Sequence, residues 1–108
     1  MNDLVKFLTT GDHPVTVSLR PEKTLELFRD AVNRGYVHIK FTDTRGGTEL
    51  GVQIDPSRSD LAAMKNRAAS GSVVFVGDLS LDYTPVTCSA TIDIDTLEGT
   101  GRLVARPN

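Results

Sequence analysis

Apolar and polar residues alternate with a period of two along six stretches of this chain, and recur with a helical period along three others. The alternating stretches are 15–20, 36–42, 48–54, 72–82, 86–96 and 101–106. The cleanest is "VTCSATIDID", in which Val86, Cys88, Ala90, Ile92 and Ile94 fall on one side and Thr87, Ser89, Thr91, Asp93 and Asp95 on the other. Val15, Val17 and Leu19, then Val37, Ile39 and Phe41, then Leu50, Val52 and Ile54, give three more half-apolar strands. In "SVVFVGDLSLDY" Val73, Phe75, Leu79 and Leu81 share a face, and Gly77 marks a bulge or bend. Its "VVFV" run is apolar on both sides, so it is expected to lie centrally or to be covered twice.

The helical stretches are 2–9, 21–34 and 56–69. The first is a short N-terminal helix capped by Asn2, with Leu4, Phe7 and Leu8 on one side; it is too short to stand alone and must dock. The second, "PEKTLELFRDAVNR", carries Leu25, Phe28, Ala31 and Val32 as a stripe, with Pro21 suited to a first turn and Gly35 to a stop. The third has a weaker stripe of Leu61, Met64 and Ala68. Turns are expected at "DTRGG", at "TP" (84–85) and at "TLEGTG".

"DTRGG" joins two alternating runs and reads as the turn of a β-hairpin. A phosphate-cradling glycine loop leads from a strand into a helix, whose amides converge on the anion. Here a strand follows instead. Arg45, at the tip, stays a candidate for binding because a guanidinium forks a carboxylate.

The resulting order is α-β-α-β-β-α-β-β-β. It predicts an α+β fold: one domain over residues 1–108 with a curved, mostly antiparallel sheet of about six strands packed on one long helix, 21–34, and a peripheral helix at 2–9. Strands with one polar face leave that face wet. If the sheet curls around it, the polar face becomes a concave recognition surface.

Composition narrows the function classes. Apolar residues make up 39% and charged residues 24%, which suits a folded globular domain rather than a disordered one. The net charge is −2 and no basic run exceeds two residues, which disfavours nucleic acid. No segment approaches the ~20 apolar residues of a membrane span, and the start lacks the basic, then apolar, pattern of a signal peptide. A cytoplasmic location is expected. The single cysteine, Cys88, rules out an internal disulfide and a thiolate metal cluster, and its inward position reads as a small hydrophobe rather than a nucleophile.

Candidate chemistry is sparse. His13 and His38 are the only histidines; His38 is outward on its strand and His13 precedes Pro14 in a turn. They lack metal-ligand spacing to each other or to Asp12 and Asp43, so both read as surface residues. The acidic stretch 93–101 misses the offsets of a calcium loop, and Asp93 and Asp95 read as solvent-facing strand positions. No cofactor, metal site or catalytic set is expected. The face expected to meet a ligand or partner comprises Tyr36, His38, Lys40, Arg45, Glu49, Gln53 and Asp78.

The reading that follows is a non-enzymatic protein-interaction or adaptor module with a protein partner. A homodimer formed through a sheet edge or the N-terminal helix is one form of it. Two alternatives stand beside it: a small-ligand-binding protein or small enzyme with a pocket between sheet and helix, and a neutralising partner of the immunity or inhibitor type.

Overall fold

The computed structural model describes residues 3–65 and 71–106. Asn2, the expected cap of the first helix, and Ala68, expected on the stripe of the third, lie outside the described residues. Helices are α1 (Asp3–Leu8), α2 (Leu25–Arg34) and α3 (Ala62–Lys65); strands are β1 (His13–Ser18), β2 (Tyr36–Phe41), β3 (Thr48–Gln53), β4 (Ser72–Leu81), β5 (Thr84–Asp93) and β6 (Glu98–Ala105). A 3-10 turn, Pro56–Arg58, precedes α3. The element order is the one the sequence patterns predict.

Six strands form one sheet in the order β3-β2-β1-β6-β5-β4, and every pairing is antiparallel. The sheet coils until its outer strands meet. The Asp55 amide donates to the Val76 carbonyl at 2.7 Å, and a Cβ placed on Gly77 would lie 2.1 Å from the Gln53 carbonyl oxygen. The result is a nearly closed barrel. The interior is filled by the predicted apolar halves: Val15, Val17, Ile39, Phe41, Val52, Phe75, Val86, Cys88, Ile92 and Leu103 are all at most 2% exposed. Period-two burial therefore organises the core, and each fully buried large side chain contributes about 1.5–3 kcal/mol relative to exposure.

The helix expected to carry the sheet is shorter and sits elsewhere. α2 has ten residues because Thr24 takes the N-cap, extended at φ −128° and ψ 155°, with its hydroxyl accepting from the Leu27 amide at 3.2 Å. Pro21 thus lies in the turn before the helix. Strand side chains already fill the space between opposite walls, so no long helix lies inside. Instead α2 inserts Phe28 and Ala31 at the end of the sheet where β1 stops and β2 starts. α1 buries Val5 and Leu8 near the opposite end of β1, where Phe7 meets the ring of His13. Gly35 stops α2 in the left-handed region, φ 80°, as its position predicts, and its carbonyl accepts from the Ile54 amide at 2.8 Å.

Coiling also reverses the expected curvature. The apolar side must be inside, so the polar side is convex rather than concave. The predicted helix 56–69 is interrupted for a related reason. Asp60 exchanges backbone hydrogen bonds with Val74, at 2.8 and 2.9 Å, which holds the segment 55–60, with its 3-10 turn, along the free side of β4. β4 is last in the sheet order, yet its "VVFV" run is covered on that side as well as by the core.

Three turn assignments shift. The β4–β5 turn falls on Asp82 and Tyr83, both at positive φ (49° and 66°), and Thr84 and Pro85 belong to β5. Gly77 pairs with Cys88 in an unbroken register; it is small because β3 crosses close to it, not because the strand bulges. Gly99, expected in a turn, and Gly101, expected where that turn meets the last strand, lie within β6 facing the interior, where a Cβ on Gly99 would clash with the Thr91 carbonyl oxygen. Glycine at such a corner lets a sheet bend sharply. Among the described residues no helix is long and apolar enough to cross a membrane.

Candidate functional site

β2 and β3 set the outer face that the alternation predicts. Their register opposes Tyr36 to Gln53, His38 to Gly51 and Lys40 to Glu49. Tyr36 is 47% exposed yet held in place. Its ring meets the His38 ring edge-on, with centroids 5.1 Å apart and planes at 81°. Its hydroxyl reaches across β3 into the space left by Gly51, where a Cβ would lie 2.0 Å from Oη. A glycine in mid-strand thus makes a berth for an outward aromatic ring.

Tyr36 and His38 form one wall of a cleft of about 280 Å³. Glu49 of β3 stands beside them. Leu27, Ala31 and Arg34 of α2 form the opposite wall, and residues 18–20, ending in Arg20, lead from β1 along its base. Three of the predicted face residues, Tyr36, His38 and Glu49, are brought together here. Gln53 and Asp78 line a different, shallow depression at the β3–β4 seam with Asp55 and Arg58. Lys40 lies on the outer face of β2 with its stem against Gly47. Arg45 is exposed at the β2–β3 turn, whose Gly46 and Gly47 adopt φ 74° and 79°; Thr44 and Thr48 close the turn by a 2.7 Å hydroxyl contact. The turn leads into a strand and builds no anion cradle.

The seam cluster is a network of ion pairs at the surface. Arg58 bonds Asp55 (Nε to Oδ2, 2.8 Å) and Asp78 (3.2 Å), and Arg106 approaches Asp78 at 3.8 Å. Hydrogen bonds from Ser57, then the Arg58 side chain, hold the Asp55 carboxyl below its ordinary range. The Thr87 hydroxyl, donating at 2.7 Å, does the same for Asp78, helped by Arg58. Asp55 raises Arg58 in turn. These groups tie residues 55–58 across the β3–β4 junction.

His13 differs most from its sequence reading. It is 6% exposed, not a surface residue. Nδ1 lies 2.8 Å from Asp43 Oδ2 and Nε2 lies 3.0 Å from the Thr10 carbonyl oxygen. Each ring nitrogen therefore faces an oxygen, one of a carboxylate and one of the backbone. Phe7 and Phe41 flank it, with centroids at 4.6 and 6.3 Å. The residue pins α1 and the β2–β3 turn to the start of β1. His38 stands with Tyr36 toward the other end of β2, and Asp12 pairs with Arg102 at 3.2 Å. Among the described residues no group of three or more His, Cys, Asp or Glu could hold a metal ion. Cys88 is buried, and burial pushes its thiol up to about 12.

Sequence reasoning missed Arg20 and Arg34. Each reads as a solvent-facing cation, and only the placement of α2 beside β2 puts them around one cleft. The signal that was available is Gly51, whose missing side chain opposite His38 marks a close approach. The sequence matches no protein-family model and no curated protein.

Proposed function

We propose that this chain is a non-enzymatic binding module that recognises a protein partner through the outer face of β1, β2 and β3 beside α2, with Tyr36 as its anchor. One observation carries the reading: a large aromatic ring is kept at the surface in one orientation by His38 and by the berth at Gly51. A rigid, half-exposed tyrosine gives contact area and a hydrogen bond at little entropic cost, which is why such residues dominate interfaces. The groups best suited to catalysis have structural partners instead. His13 is tied to Asp43 and Thr10, Asp55 and Asp78 are paired across the seam, and Cys88 is enclosed.

The recognition is through a face rather than a strand edge. β3 and β4 meet each other, and residues 55–60 occupy the free side of β4, which leaves little open edge for pairing. A photo-crosslinking comparison in native extract tests the reading. Tyr36→p-benzoylphenylalanine is expected to give discrete adducts, and the same group at Thr91, exposed on β5, is not. Identical adducts from both positions, or none from position 36, would contradict it.

A further inference from the structure

The charge distribution around the cleft specifies what it takes. Arg58, Arg102 and Arg106 are each paired with an aspartate. Arg20 and Arg34 have no ion-pair partner among the described residues, and both line this one cleft. Among the described residues Glu49 is the only carboxylate on its lining, so the cleft is locally cationic in a chain whose net charge is −2. The same lining carries the aliphatic side chains of Leu19, Leu27 and Ala31, with Ser18 beside them. Two guanidinium groups beside aliphatic side chains match a ligand with an anionic head and an apolar body. Arginine favours a planar, two-oxygen head, which it forks with parallel N–H bonds. At about 280 Å³ the space is at the small end of ligand sites.

We propose that this cleft binds a carboxylate attached to a short apolar body, with Arg20 and Arg34 on the carboxylate, Leu27 and Ala31 against one side of the apolar part, and the Tyr36 ring as the wall opposite. Two sources present this chemistry: a free small carboxylic acid, and the C-terminal carboxylate of a peptide whose last residue is apolar. The proposal rests on the reading of this face as the recognition surface and names its ligand chemistry.

The test is titration of the ¹⁵N-labelled full chain, followed by amide and arginine side-chain NMR shifts. The probes are hexanoate, hexanol, and one leucine-terminated pentapeptide with a free or an amidated C-terminus. Hexanoate is expected to shift Tyr36, Gly51 and the Arg20 and Arg34 Nε–H signals saturably, and to bind about tenfold or more tightly than hexanol. Arg20→Gln with Arg34→Gln is expected to abolish that difference. Arg20→Lys with Arg34→Lys should retain only part of it, because the charge stays and the fork is lost. All four changes are at exposed positions, so the variants keep the fold, which their spectra report directly. The free pentapeptide binding better than both hexanoate and its amide assigns the peptide source; hexanoate alone binding assigns the small acid. Equal binding of hexanoate and hexanol at the cleft would overturn the carboxylate assignment while leaving the face in place. Shifts scattered away from the cleft, or none that saturate, would overturn the ligand assignment altogether. The crosslinks from position 36 would still decide the partner reading independently.

Discussion

Gly77→Ala tests the meeting of β3 and β4 at a single atom. The new Cβ would sit 2.1 Å from the Gln53 carbonyl oxygen and 2.7 Å from Val52 Cγ1, whereas ordinary contacts begin at 3.4 Å. The strands must therefore part by about 1.3 Å, the difference between 3.4 and 2.1 Å. The nearest obstacle is backbone, which cannot swing aside as a side-chain tip would. Forcing a methyl group into such a contact costs about 1–3 kcal/mol. A parting of that size also breaks the neighbouring bond from the Asp55 amide to the Val76 carbonyl, now 2.7 Å, at a net loss of about 1 kcal/mol. Opposing this, alanine is better than glycine in a strand by roughly 0.5–1 kcal/mol. The balance is a destabilisation of about 2 kcal/mol, which lowers Tm by roughly 10 °C in a domain of this size. Urea unfolding followed by far-ultraviolet circular dichroism measures it. Unchanged or increased stability would refute the contact and leave an open sheet, in which alanine at position 77 should help.

His13→Ala removes two hydrogen bonds and a ring packed against Phe7 and Phe41, and should cost about 2–4 kcal/mol. Its amide-exchange signature should be local, with Val5 and Leu8 of α1 losing protection before β4 and β5; a uniform loss across all of them would contradict the pinning role. The Asp78 carboxyl is held below its ordinary range, chiefly by the Thr87 hydroxyl and then by Arg58. Its contribution is therefore fully present above the unfolded value near pH 4 and is lost as pH falls through the lower folded value. The Tm difference between the native chain and Asp78→Asn should be constant from pH 7 to 5 and close below about pH 4; a gap that widens on acidification would reverse the sign.

What was legible in the sequence is what depends on near neighbours along the chain. The inward sets of β2, β3, β4 and β5 follow from alternation alone, because burial on one side of a pleated strand selects every second residue. Gly35 ends α2 as predicted, since a left-handed stop is a local need. What was not legible depends on closure. Gly77 and Gly101 look like turn or bulge residues until the sheet coils and brings Gln53 and Phe41 against them. The segment 56–69 has helical spacing, but the backbone of Asp60 is claimed by Val74, and a tertiary bond overrides a weak propensity. The candidate site divides in the same way. Tyr36, His38 and Glu49 were placed on one face by period and register. Arg20 and Arg34 joined them only through the position of α2, and Asp78 left them for the seam. His13 looked solvated because neither Asp43 nor Phe7 is near it in sequence.

The most direct measurement is a nuclear Overhauser contact across the seam in the isotopically labelled chain, between the Val52 methyl groups and the Gly77 α-protons. Val52 Cγ1 lies 2.7 Å from the Cβ position at Gly77, so a nearly closed barrel predicts a strong cross-peak, as intense as those between paired residues of β4 and β5. Strong β4–β5 contacts with no signal between Val52 and Gly77 would show a sheet open along that line. The placement of residues 55–60 would fall with it, and so would the convex curvature of the face around Tyr36.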